Sequence, residues 1–316
     1  DTPIGDSATA GSAFAMGFKS QTGNVGVLPA KVGMPGVLPT PDNEIHRPMA
    51  TVLEAAKLAG KATGLVATSE IMHATPADFS AHAASRSAYD DLSEQQVHNH
   101  LDVVFGGGYN FLQPENRKDK DDLLAALREQ GYAVLRTPAE MAAYQGGKVW
   151  GLFADKEMKY DLDRNPAEEP ALAEMTAKAI EQLSRNKKGF FLMVEGSKVD
   201  WAAHANDPTG IVSDILAFDR AVAKALAFAR QDGHTAVFAL ADHGNSGITI
   251  GNSTTSKGYD KEPLSSFVDP LRRAKLTGEG IGFRLNAERS NVREVIAEAW
   301  GITDLSEQEA VSYTHL

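Results

Sequence analysis

The sequence predicts an α/β fold built on a large, mostly parallel central sheet with helices on both faces. Two observations carry this reading. Short continuous apolar runs recur in KATGLVATSEIMHATP from Lys61, GFFLMVEGSKVDWAAH from Gly189 and HTAVFALADHGN from His234. Runs of this kind read as strands buried on both faces, the habit of parallel sheets. Helical patterns stand between and around them, and strands alternating with helices favour parallel pairing.

Taken in order, SATAGSAFAMGF after Asp6 is a helix start rich in small residues, and Gly23 to Arg47 is a long Gly- and Pro-rich loop. MATVLEAAKLAG, Met49 to Gly60, is a helix closed by glycine. The first apolar run follows, then a strand at LDVVF. FGGGYN, Phe105 to Asn110, reads as a tight turn, because it lacks the Lys-Ser/Thr and the glycine spacing of a phosphate loop. KDDLLAALREQGY and LAEMTAKAIEQLSRN carry apolar residues at helical spacing. SDILAFDRAVAKALAFARQDG is a longer helix, and NVREVIAEAWG returns to helix after the irregular stretch Gly251 to Leu285. HTAVFALA is expected as a further strand.

Bulk properties narrow the chemistry. A formal net charge of −11 argues against a nucleic-acid footprint, and no apolar run is long enough to span a membrane. With no cysteine, disulfides and thiolate metal sites are excluded, so any metal is held by His, Asp, Glu and hydroxyl oxygens.

In open parallel sheets ligands bind beyond the carboxyl ends of the strands. The GFFLMV strand ends at Glu195, with Asp200 and His204 four residues apart, one helical turn. The AVFALA run ends at Asp242 and His243, and the GLVAT run leads into His73 and Thr75. Each group alone is an ordinary surface pattern; together, at three strand ends, they form a ligand set. Oxygen and imidazole donors suit catalytic zinc, and the two clusters imply two metals. An oxygen-rich third site at Glu195 and Thr75 suits magnesium. Ser7, at a helix start, lies where an anion is favoured, and a nearby zinc would make it an alkoxide nucleophile. No G-x-S-x-G elbow is present, which counts against a hydrolase triad. Arg86 is a candidate phosphate fork, though spacing alone leaves it a surface arginine.

DSATAGSAFAMGFKSQTGNVGV, TGLVATSEIMHATPADFSAHAASR, GFFLMVEGSKVDWAAHANDP and ADHGN, in this order and spacing, resemble the active-site segments of alkaline phosphatases. The resemblance implies a phosphate monoester hydrolase with two zinc ions and one magnesium ion, a broad substrate range and an alkaline optimum. It implies Ser7 as a nucleophile that forms a phosphoserine, and Arg86 as the phosphate clamp. Asp200 and His204 would bind the first zinc; Asp242, His243 and Ser7 the second; Thr75 and Glu195 magnesium. His73 would stand beside the third site and Trp201 near the phosphate. Small phosphate monoesters and inorganic phosphate, a homodimer, and a periplasmic or extracellular location are family expectations. His46, His82, His98, His100 and His234 are expected as surface or packing residues.

Residues 1–316 are thus expected as one α/β catalytic domain truncated at both ends, lacking an upstream Asp ligand and a C-terminal His ligand of the family. The missing N-terminal part would carry a central strand and leave a sheet edge exposed. Residues 251–290 are expected as a surface insertion and 311–316 as a non-native tail. The alternatives are a phosphodiesterase or sulfatase of the same superfamily, or a catalytically incompetent phosphate-binding fragment.

Overall fold

The computed structural model describes residues 5–33, 38–251 and 255–313. The opening residues 1–4 of the sequence reading, and 314–316 of the expected tail, lie outside them. The chain divides into two compact units, one of residues 1–158, 165–196 and 218–244, the other of 159–164, 197–217 and 245–316.

The first unit holds a five-stranded sheet. In chain order its elements are α1 (Ser7–Met16), α2 (Val52–Leu58), β1 (Ala62–Glu70), α3 (Ala74–Ser80), α4 (Tyr89–His98), β2 (Val103–Gly107), α5 (Leu123–Glu129), β3 (Ala133–Leu135), α6 (Pro138–Ala143), β4 (Val149–Ala154), α7 (Leu172–Leu183) and β5 (Phe190–Glu195). The strand order is β3-β4-β2-β1-β5, and every pair is parallel. Strand β1 is buried along its whole length, from the apolar Leu65 and Val66 at its centre to the polar Thr68, Ser69 and Glu70 at its carboxyl end. Leu65 of β1 joins Ala8, Leu53, Ala77, Leu92 and Leu127 on one face; its neighbour Val66 joins Met175, Ala179 and Leu183 of α7 on the other. That alternation is the period of two of a strand, and it places helices on both faces.

Local signals set the ends. Helix α2 begins at Val52, not Met49, because Thr51 and Glu54 form a reciprocal capping box. Phe105, Gly106 and Gly107 of the expected FGGGYN turn belong to β2, and the turn begins at Gly108. At the strand's end a Cβ on Gly107 would lie 2.1 Å from the Lys156 carbonyl oxygen, and Gly108 takes φ +101°, so both positions need glycine for backbone reasons.

One expected strand is absent. Residues 235–240 of HTAVFALA are irregular, with Phe238 84% and Leu240 57% exposed. An apolar run becomes a strand only against a ladder partner. Among the described residues, β5 pairs with β1 alone and stands at the sheet edge, with only Met193 of its residues fully buried.

The second unit contains α8 (Lys198–His204), the first residues of α9 (Pro208–Asp232), α10 (Leu264–Arg273), α11 (Gly278–Arg284), α12 (Val292–Trp300) and α13 (Glu307–Tyr313). Ile281, Val292, Val295, Ile296, Ala299 and Ala310 form its apolar cluster. Within 251–290, α10 has no buried residue, whereas Ile281 of α11 is fully buried.

Two substitutions separate the buried strand from the unpaired run. Leu65→Ala is expected to cost ~2–5 kcal/mol in chemical denaturation, as buried leucines do. Phe238→Ser is expected to cost less than ~0.5 kcal/mol, because an exposed side chain loses little on truncation.

Candidate functional site

The carboxyl ends of β1 and β5 lie side by side, with Ala67 opposite Glu195. Ser69 Oγ stands 3.4 Å from Glu195 Oε2. Beyond β1 the chain turns, with the His73 amide donating to the Glu70 carbonyl, and α3 begins with His73 as its N-cap residue and Thr75 in its first turn. The Thr75 hydroxyl is buried and has no hydrogen-bond partner among the described residues. A buried hydroxyl without a partner is costly unless something else satisfies it.

Ser7 opens α1 and is 8% exposed. Asp6 caps that helix. Its Oδ1 accepts from the Thr9 amide at 3.0 Å and the Thr9 hydroxyl at 2.6 Å, and its Oδ2 accepts from the Gly23 amide at 3.1 Å. Arg86 Nη1 donates to Asp6 Oδ2 at 3.0 Å, and Arg86 Nη2 donates to His73 Nε2 at 3.2 Å. Burial alone would raise the Asp6 carboxyl, but the Thr9, Arg86 and Gly23 bonds overcome it and hold the group below its ordinary value. Burial, followed by the Arg86 charge, pushes His73 down to about 4. An acceptor at Nε2 therefore means a neutral ring with its proton on Nδ1.

Ser7 Oγ lies 3.1 Å from His243 Nε2, and Asp242 Oδ2 lies 3.4 Å from the same nitrogen. In a Ser-His-Asp triad the carboxylate orients the ring from the opposite nitrogen. Here the hydroxyl and the carboxylate both face Nε2, so Asp242 does not orient the ring from behind as a triad carboxylate does. Oxygen and imidazole donors of this kind suit zinc.

In the second unit, Asp200 Oδ1 lies 3.5 Å from His204 Nε2, one turn along α8. Asn245 Nδ2 donates to Asp200 Oδ1 at 2.7 Å and to its carbonyl at 3.2 Å. The Trp201 ring centroid is 4.3 Å from Nζ of the buried Lys198, which also stands over Tyr160 and 3.7 Å from Glu279 Oε1.

The first unit therefore brings Ser7 to Asp242 and His243, and Arg86 to His73. The second pairs Asp200 with His204. Among the described residues, no group of three or more His, Asp and Glu side chains is placed to hold a metal ion. Asp242 and His243 pair beside the Ser7 hydroxyl in the first unit, and Asp200 pairs with His204 in the second. Sequence reasoning missed Asp6 and Asn245. Asp6 had a signal, an Asp-x-x-Thr at a helix start; Asn245 had none, since its role depends on meeting Asp200. His82 proves to be a packing residue, bonded to Glu54 Oε1 and the Gly26 carbonyl.

A family model for alkaline phosphatase matches residues 1–282. The chain belongs to the alkaline phosphatase family. Alkaline phosphatase 4 of Bacillus subtilis is 38% identical over 314 residues, 98% of this chain and 62% of that protein. The crystal structure of Thermus thermophilus alkaline phosphatase superposes with a TM-score of 0.83 at 31% identity, covering 98% of this chain and 62% of that one. A mutant of the alkaline phosphatase from the Antarctic bacterium TAB5, solved with Mg bound in the M3 site, superposes with a TM-score of 0.61 at 34% identity, over 73% of this chain and 61% of that one. The chain spans about three-fifths of the length of these family members.

Asp6→Ala removes a helix cap and the ion pair that holds Arg86, and is expected to cost about 1 kcal/mol. A depressed carboxyl pKa adds stability above the unfolded value of about 3.9 and loses it as pH falls through the folded value. The melting difference between the two proteins should thus be steady at neutral pH and shrink in acid. A difference that grows on acidification would contradict the Asp6 network.

Proposed function

We propose that this chain carries the phosphate-handling centre of a phosphate monoester hydrolase that works through a phosphoserine on Ser7. The observation that carries the reading is the meeting of Ser7 with His243, which has Asp242 beside its ring, at the head of α1, whose capping carboxylate also holds Arg86. A helix N-terminus favours an anion through its amide groups and dipole. Arg86 carries two hydrogens on each terminal nitrogen and spends one of each on Asp6 and His73. The remaining pair suits two oxygens of a phosphate. Ser7 Oγ attacks phosphorus in line with the leaving oxygen, the ester bond breaks as the new bond forms, and water later hydrolyses the phosphoserine.

The donor chemistry fits divalent metals. Ser7, Asp242 and His243 would hold one zinc, Asp200 and His204 another, and Thr75 and Glu195 magnesium. The buried, partnerless Thr75 hydroxyl supports the last assignment. So does the Mg bound in the M3 site of the TAB5 mutant. What a divalent cation supplies when bound is a lower pKa for the serine hydroxyl and positive charge facing the phosphate oxygens. Trp201 is assigned to the phosphate surroundings, with His73 beside the magnesium site. The reading includes a broad range of small monoesters, an alkaline optimum, a homodimer and a periplasmic or extracellular location. No described helix is long and apolar enough to cross a membrane.

The test is phosphate release from an aryl phosphate at alkaline pH with added zinc and magnesium. Release should vanish in chelator and fall by about 10³-fold or more in Ser7→Ala. Acid quench of the parent chain should leave phosphate on Ser7, read by mass spectrometry. Turnover that survives Ser7→Ala would sink the phosphoserine reading, and equal turnover of an aryl sulfate or a diester would sink the monoester preference.

Arg86→Ala is expected to lower kcat/KM for the monoester by about 10–100-fold, the size of a lost charge-assisted bond. Arg86→Lys should restore little of it, because an ammonium offers no fork.

A further inference from the structure

Asp78 of α3 is 0% exposed and lies against α1. Its Oδ2 would stand 2.2 Å from a Cβ at Gly11, so only glycine fits there. Its Oδ1 lies 2.8 Å from Ser12 Oγ. Ser12 Oγ also accepts from the Gly26 amide at 2.8 Å and lies 3.2 Å from the Asn24 carbonyl oxygen. A hydroxyl has one hydrogen and two lone pairs. If that hydrogen goes to the Asn24 carbonyl, which can only accept, the second lone pair must take a hydrogen from Asp78.

We propose that Asp78 is a neutral carboxylic acid that donates from Oδ1 to Ser12 Oγ, and that this bond positions the Ser7 helix against the Arg86 segment. The remaining oxygen, Oδ2, has no partner. A carbonyl oxygen of a neutral acid tolerates that far better than a buried carboxylate does. Burial raises the Asp78 pKa well above the ordinary carboxylate value, and the nearby charges of Asp6 and Glu195 add to it. A bond donated by Ser12 to the ionised group, and the Arg86 charge, would oppose the rise without overcoming it.

The bond reaches the site by two routes. Along α1, Ser12 is five residues from Ser7. Through Asn24 and Gly26, Ser12 fixes the strip that contains Gly23, whose amide donates to Asp6 and whose carbonyl accepts from the Arg86 amide at 2.7 Å. Val25 in the same strip bridges to Ala83. A slip at Ser12 therefore displaces nucleophile and phosphate clamp relative to each other. Asp78 touches neither substrate nor reacting atoms and is a positioning residue.

Asp78→Asn keeps the shape and a donor; Asp78→Leu keeps the volume and loses the donor. Difference infrared spectroscopy on the whole chain at neutral pH should show the carbonyl stretch of a buried neutral acid, lost in Asp78→Asn. Asp78→Asn should melt near the parent and Asp78→Leu well below it. The kinetic arm rests on the phosphoserine reading. There Asp78→Asn should keep kcat close to the parent, and Asp78→Leu should lower it about 10²-fold, the effect of a misplaced reacting group. An absent acid band, or Asn and Leu variants that melt alike, would overturn the proposal. If the parent chain releases no phosphate, the functional reading fails, while the infrared and melting results still decide the role of Asp78.

Discussion

The carboxylate of Asp6 accepts from the Thr9 amide and hydroxyl, from the Gly23 amide and from Arg86 Nη1. One side chain at the head of α1 thus caps the helix, fixes the turn after it and anchors a guanidinium 80 residues away in sequence. The first turn of a helix carries amides without intrahelical partners. Asp6 satisfies the Thr9 amide, which leaves the approach to Ser7 shaped by the helix end and by Arg86. The nucleophile candidate and the arginine beside it share one anchoring carboxylate.

The parallel sheet supplies the second constraint. Because every strand pair is parallel, the ends of β1 and β5 fall on one edge, and the residues that follow them collect there. Glu195 ends β5, and His73 and Thr75 follow β1 across a short turn. Asp242 and His243 reach Ser7 although the run before them forms no strand. His243 meets Ser7 through its side chain and Asp242 stands beside that ring, whereas Glu195 is placed by the ladder.

The strands β1 and β5, the helices at 123–129 and 172–183 and the turn at Gly108 were legible because local pattern and environment agree there. The run 235–240 was not. Its apolar pattern states what it would bury, but the ladder partner it needs is a property of the sheet. The site residues divide in the same way. Ser7, Arg86, Asp242 and His243 stand in segments whose resemblance to family motifs singles them out. Asp78 and Ser12 lie 66 residues apart and Asn245 and Asp200 45, in residue types that read as ordinary polar positions. Their roles exist only once the chain has folded, and even the meeting of Ser7 with His243 spans 236 residues.

A net charge of −11 makes the holding of Arg86 matter. A free arginine on such a surface would trade among many carboxylates and lose side-chain freedom on each anion it bound. Arg86 instead has one hydrogen committed to Asp6 and one to a neutral His73, so its plane is set before any phosphate arrives. Pre-organisation lowers the entropy cost of binding. The Asp6 charge acts in the opposite sense, offsetting part of the attraction for the anion. On the function proposed for Arg86, the two effects together favour a site that orients phosphate well and holds it only moderately, which suits a hydrolase, whose product must leave after every turnover, better than a protein built to sequester phosphate.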